Sequence, residues 1–165
     1  MHGAPRHHRY LIALGSNRRH HGFGPPAKVL DAALLALAAT GVDILAAAPA
    51  ICTRPIGPSM RSYANSAAVI ETALHPAALL ARLKAIEAQF GRRRGQRWSS
   101  RTLDLDIILW SGGQWHSRHP DLVVPHRMFR ERHFVLGPAV KVAAAWLDPV
   151  TGLTVRQLHH RCTRA

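Results

Sequence analysis

RWSSRTLDLDIILW, residues 97–110, is the place in the chain where strong charge of both signs meets a strong strand signal. From Leu103 the chain reads Leu-Asp-Leu-Asp-Ile-Ile-Leu, and the alternation of apolar and acidic residues is the period of a β-strand. Successive side chains on a strand point to opposite faces. Asp104 and Asp106 therefore share one face, with Cα atoms roughly 6.6 Å apart, and Leu103 and Leu105 take the other. Two like charges on one face call for something positive between them. Asp is a hard oxygen ligand suited to Mg²⁺, which takes one or two protein carboxylates and completes its shell with water and phosphate oxygens. Two such ions, about 3.5–4 Å apart, could bridge the pair and clamp an in-line displacement. The plainer alternative is a surface salt bridge to Arg97 or Arg101.

Upstream of this strand, Arg92, Arg93, Arg94, Arg97 and Arg101 put five guanidinium groups into ten residues. Arginine binds phosphate in a bidentate fork, so a basic loop leading into a di-acid strand can hold a polyphosphate with guanidinium groups on one side and metals on the other. The alternative, a solvated basic loop, leaves the aspartates unexplained. Before the loop, His75-Pro76 opens a helix whose Leu79, Leu83, Ile86 and Phe90 lie on one stripe, with Gly91 as its stop and Glu87 at the rim of the stripe. Downstream, Ser111-Gly112-Gly113 is a hairpin turn into a short strand over residues 114–117. Residues 123–126, which include His126, are extended. Residues 128–142 read as mixed and partly helical until Pro138 interrupts them.

Further out, residues 10–14 (YLIAL) form a buried first strand closed by Gly15-Ser16-Asn17. The basic loop of Arg18, Arg19, His20 and His21 follows, and Pro25-Pro26 starts a helix over residues 27–40 with Leu30, Leu34 and Leu37 facing the core and Gly41 ending it. A second strand is expected over residues 42–50. The Thr53-Arg54-Pro55-Ile56-Gly57-Pro58 loop comes next, and then a third strand over residues 63–72 with Asn65 near its start. An Asn in that place is commonly only a turn or edge residue. Residues 147–153 make a terminal turn, and residues 154–162 pack as a short tail.

The 165 residues fit one domain, residues 1–165, with the basic segment 1–8 expected to lack fixed structure. Two cysteines, Cys52 and Cys162, without CxxC spacing give neither a disulfide framework nor a zinc site. The opening MHGAPRHHRY lacks the apolar core of a signal peptide, and no apolar run approaches the roughly 20 residues of a spanning helix. A cytoplasmic protein without membrane partners is expected. The net charge of +13 with only nine acidic residues predicts an anionic partner, either nucleic acid or a phosphorylated small molecule, although a bias toward Arg and Ala would inflate charge without function.

These pieces, in this order, resemble the 6-hydroxymethyl-7,8-dihydropterin pyrophosphokinases of folate biosynthesis, from the first strand through Pro138. The residues that carry the resemblance are Gly15-Ser16-Asn17, Thr53 with Pro55-Ile56-Gly57-Pro58, Tyr63-Ala64-Asn65, Glu87, Gly91-Arg92, Arg97-Trp98, residues 101–106 (RTLDLD), and Pro125-His126 with Arg132 and Phe134. The resemblance implies a ferredoxin-like α+β sandwich with a mainly antiparallel sheet flanked by helices. It implies transfer of pyrophosphate from ATP to the pterin hydroxymethyl group, with release of AMP. By the same resemblance, Asp104 and Asp106 hold two Mg²⁺ ions, and Arg92, Arg94, Arg97, Trp98 and Arg101 belong to a loop that closes over ATP. Glu87, Ile107, His126 and Arg132 fall among the nucleotide contacts. Gly15, Thr53, Pro55, Ile56 and Asn65 border the pterin, with Tyr63 and Phe134 stacking on it. A flat heteroaromatic needs aromatic walls and an amide that offers both donor and acceptor, so the chemistry agrees. Ser99-Ser100, Arg54 and Arg127 depart from the family pattern. Two rival readings remain: a pseudoenzyme that binds without turnover, and a basic nucleic-acid-binding module, which would need aromatics displayed on the sheet face. Oligomeric state is not legible.

Overall fold

The structure is a computed structural model that describes residues 6–18, 20–53, 62–91 and 102–165. In chain order the elements are β1 (His8–Ser16), α1 (Pro26–Ala38), β2 (Asp43–Ala47), β3 (Ile51–Thr53), β4 (Tyr63–Thr72), α2 (Pro76–Gly91), β5 (Asp104–Trp110), β6 (Trp115–Arg118), β7 (Asp121–Val124), a 3₁₀ turn (Phe129–Glu131), α3 (His133–Ala143) and α4 (Val155–Arg164). The main sheet runs β2-β4-β1-β5 with every pairing antiparallel, and β3 adds to β4 beyond the end of β2. β1-α1-β2 and β4-α2-β5 are each split β-α-β units, and each takes a strand of the other into its gap. This is the ferredoxin-like arrangement.

Crossovers of one hand put α1 and α2 on the same face of the sheet. There Leu30, Leu37, Leu79, Leu83, Ile86 and Phe90 pack against Tyr10, Ile12, Leu14, Leu105 and Ile107. The second face carries Leu11, Ala13, Ala67, Val69, Ile108 and Leu109, covered by Phe129, Val135, Leu136 and Ala139, with Val155 and Leu158 of α4 behind. Strand parity is kept on both faces up to Ile108. Leu11 pairs with Leu109 and Ile12 with Ile107, so Ile108 is the extra residue of a β-bulge. Its carbonyl accepts the His126 N–H at 3.0 Å and anchors the chain that follows β7 to the outer strand.

Four expectations need correction. The second strand ends at Ala47, because Pro49 has no N–H for the ladder; β3 resumes pairing at Ile51, opposite Asn65. Pro138 does not interrupt α3. It removes only the N–H that would reach the Phe134 carbonyl near the helix start, and it is itself buried with Val135, Leu136, Ala139 and Ala143. Residues 155–164, expected only as a short packed tail over 154–162, form a helix, capped by Thr154, whose Oγ1 accepts from Gln157 N while the Gln157 side chain accepts from Thr154 N. At the N-terminus His8 already belongs to β1, opposite Thr72, and Arg9 pairs with Glu71 at 2.8 Å; residues 1–5 lie outside the described residues. No helix of the described residues is long and apolar enough to cross a membrane.

Candidate active site

A cleft of about 510 Å³ opens on the α3 face of the sheet, where β1 ends and β4 and β5 begin; Gly15, Asn65, Asp104, Asp106, Arg132 and Phe134 line it. Six residues singled out from widely separated parts of the sequence are thus brought to one place. The strand register explains how. Gly15 is the cross-strand partner of Asn65 on one side and of Asp104 on the other, so the three form one row across β4, β1 and β5. Directly opposed residues on neighbouring strands face the same way. The Asn65 amide and the Asp104 carboxylate therefore stand two strand spacings apart, roughly 10 Å, over a glycine floor. The next row inward is Ala67, Ala13 and Asp106, again small residues beside a carboxylate.

A floor of glycine and alanine leaves room for a flat ligand. An added Cβ on Gly15 would come within 3.3 Å of Asn65 Oδ1. Thr53 and Tyr63 are opposed one step further out on the same face as Asn65; Tyr63 is exposed and is not part of the cleft lining.

The wall opposite the floor is the start of α3. Arg132 is the N-cap residue, its guanidinium carbon lies over the Phe134 ring at 5.8 Å from the centroid, and Phe134 is 41% exposed, so part of that ring is open to solvent. The first turn of α3 holds no acidic residue, and Arg132, Phe134 and Val135 at its start line the cleft, so the positive end of the helix lies beside it.

His126, which is not among the residues lining the cleft, lies close enough to Asp106 and Arg132 to feel both charges. Burial pushes its pKa down, the Asp106 charge draws it up and the Arg132 charge pushes it down, with a net lowering. Its Nδ1 accepts the Met128 N–H at 3.1 Å, which leaves Nε2 to carry the proton of the neutral ring.

Two expected contacts are placed differently. The Ile107 side chain is buried on the α1/α2 face, away from the cleft, so only its backbone could meet a nucleotide. Glu87 is engaged with the protein itself: Oε1 accepts the Leu105 N–H at 2.8 Å, and Lys84 is 3.1 Å from Oε2. Arg92, Arg94, Arg97, Trp98, Arg101, Pro55 and Ile56 lie outside the described residues. The two residues that flank 92–101 are close together, since an added Cβ on Gly91 would meet Thr102 Oγ1 at 2.9 Å. Ala13, Leu14, Ser66 and Val135 also line the cleft and carry no sequence signal beyond their place in regular elements.

The family model described as 7,8-dihydro-6-hydroxymethylpterin-pyrophosphokinase (HPPK) matches residues 11–144. The 2-amino-4-hydroxy-6-hydroxymethyldihydropteridine pyrophosphokinase of Synechocystis sp. is 35% identical over 152 residues, covering 92% of this chain and 74% of its own length. The protein of the same name from Pseudomonas putida is 41% identical over 119 residues, covering 72% of this chain and 93% of its own. In three dimensions the chain is similar to the crystal structure of Plasmodium falciparum HPPK-DHPS, with a TM-score of 0.73 at 13% identity, over 97% of this chain and 42% of that one. With the family model matching most of the chain and these relatives above 30% identity, the chain belongs to the HPPK family.

Proposed function

We propose that this cleft is where the chain, a pyrophosphokinase of folate synthesis, transfers pyrophosphate from ATP to 6-hydroxymethyl-7,8-dihydropterin. The hydroxymethyl oxygen forms a bond to the β-phosphorus as the bond from that phosphorus to the oxygen bridging the α-phosphate breaks. The hydroxyl proton is lost and AMP leaves. The observation that supports the reading is the row Asn65–Gly15–Asp104, which sets an amide and a carboxylate on the two edges of one flat floor.

Each residue then has a physical task. The Asn65 amide donates and accepts along the pterin edge, Gly15 and Ala13 let the ring lie on the backbone, and Phe134 stacks on it. Arg132 and the N-terminal end of α3 favour negative charge on the opposite wall. Asp104 and Asp106 suit Mg²⁺: they are hard oxygen donors on one strand face, and no group of three or more His, Cys, Asp or Glu fit to hold a metal occurs among the described residues, so water and phosphate oxygens would complete each shell. When bound, two Mg²⁺ ions supply charge neutralisation for the triphosphate and acidify the attacking hydroxyl. Arg92, Arg94, Arg97, Trp98 and Arg101 are assigned to the nucleotide, with Pro55 and Ile56 beside the pterin. The unit of function is one domain, acting in the cytoplasm on two small molecules.

Product identity tests this directly. Incubation of the protein with ATP, the pterin and Mg²⁺ should yield AMP and the pterin diphosphate in equal amounts by anion-exchange chromatography. ADP with a pterin monophosphate would contradict it.

A further inference from the structure

We infer that Glu87 is a positioning residue for the paired aspartates, acting through the backbone of β5 rather than on a substrate. β5 is the outer strand of the main sheet, and Leu105 lies between Asp104 and Asp106. Alternate residues of an antiparallel strand turn both backbone groups to one side, so with the Leu105 N–H directed to Glu87, those of Asp104 and Asp106 turn toward β1. Without Glu87 the Leu105 N–H would be an unanswered edge donor at the centre of the di-acid motif.

The Glu87 carboxylate is built for this place. Its side chain is only 11% exposed, Oε1 accepts from Leu105 at 2.8 Å, and Lys84, one turn back on α2, approaches both oxygens at 3.3 and 3.1 Å. The carboxylate thus has its direction fixed from α2 and its acceptor spent on β5. It joins the last turn of α2 to the first residues of β5, and so fixes where Asp104 and Asp106 point into the cleft. Outer partners of this kind typically alter ligand affinity or activity by roughly 10–100-fold when removed.

The inference rests on the reading of Asp104 and Asp106 as a metal-binding pair, and a substitution series separates the two. Glu87→Gln keeps an oxygen at the right reach without the charge, and Glu87→Asp keeps the charge but falls a methylene short. If position is what matters, Gln is the milder change and Asp the more severe. Electron paramagnetic resonance of Mn²⁺ in the presence of a non-hydrolysable ATP analogue should show roughly 10–100-fold weaker binding in Glu87→Asp and Glu87→Ala, and roughly threefold or less in Glu87→Gln.

Turnover should follow the same order in kcat, with a smaller change in KM for ATP. Hydrogen exchange at the Leu105 amide of the ligand-free protein should be accelerated in Asp and Ala but not in Gln. That readout needs neither metal nor activity. A series in which Gln is worse than Asp, or in which only the KM for ATP moves, would overturn the inference and make Glu87 a charge or a nucleotide contact. Mn²⁺ binding by the Asp106→Ala variant equal to that of the wild type would overturn the metal-pair reading, and the inference with it.

Discussion

Gly15 shows how one residue's absence of a side chain shapes the site. It has Asn65 on one flank and Asp104 on the other, and a methyl group there would press to 3.3 Å from Asn65 Oδ1. Contacts that close force the amide to move by a few tenths of an ångström and raise the floor beneath any ring lying on it. Gly15→Ala should therefore raise KM for the pterin by roughly tenfold or more, because small misplacements of a reacting pair are costly, while KM for ATP changes little. Steady-state kinetics with each substrate varied in turn checks this, and an unchanged pterin KM would count against the floor. Asn65 and Gly15 were recognisable in the sequence as motif residues, but not as neighbours. Their adjacency is a property of the β1–β4 register, and no local pattern around Gly15 or Asn65 encodes it. Glu87 illustrates the converse: its place at the rim of the α2 stripe was legible, but its partner, a backbone N–H eighteen residues on, was not.

At the level of elements, the site depends on a frame whose last tie is near the C-terminus. Arg130, in the 3₁₀ turn just before Arg132, makes two hydrogen bonds to the fully buried Asp148, at 2.6 and 2.8 Å, and Thr151 and the Val150 N–H add two more to the same carboxylate. Burial pushes the Asp148 carboxyl up, but the hydrogen bonds from Arg130, Thr151 and Val150, together with the Arg130 charge, outweigh it and hold the pKa below the ordinary 3.8. A lowered native pKa means that the unfolded chain takes up the proton first. The stabilisation is complete above the unfolded value and disappears as pH falls through the native one. Asp148→Asn should cost about 3 kcal/mol at neutral pH, since it leaves Arg130 without its counter-charge, and the gap from wild type should narrow as pH drops below about 4. Thermal denaturation followed by circular dichroism across that range tests it; a gap independent of pH would show that the pair's charge contributes nothing.

The elements themselves were unequally legible. α1, α2, β4 and β5 follow from apolar period and from Pro and Gly punctuation. β3 is only three residues long and exposed, too short for any period, and exists because β4 offers it an edge. α4 has few apolar residues, yet its Thr154-x-x-Gln157 start is a capping signature that was available in the sequence.

For the molecule as a whole, the sheet is covered by helices on both faces, and the site lies where the second cover stops short. α3 packs over Leu11, Ala67 and Val69 but leaves Gly15, Asn65, Asp104 and Asp106 facing the cleft. A nucleic-acid module of the kind that stacks bases on its sheet would need that face bare, and α3 occupies it. Under the proposed function, the net charge of +13 would instead draw a polyanion such as ATP toward the cleft that holds two of the chain's nine acidic residues. Composition alone could not decide between those partners, because nucleic acid and a nucleotide satisfy the same electrostatics.

The most direct measurement follows AMP formation from ATP by wild type and by Asp106→Ala, each with and without 6-hydroxymethyl-7,8-dihydropterin and Mg²⁺. The expected result is AMP that requires both pterin and Mg²⁺ in the wild type and falls on the order of 10²–10³-fold in the variant. AMP formation that proceeds without pterin, or that continues at the wild-type rate in Asp106→Ala, would contradict the assignment of this cleft and its paired aspartates.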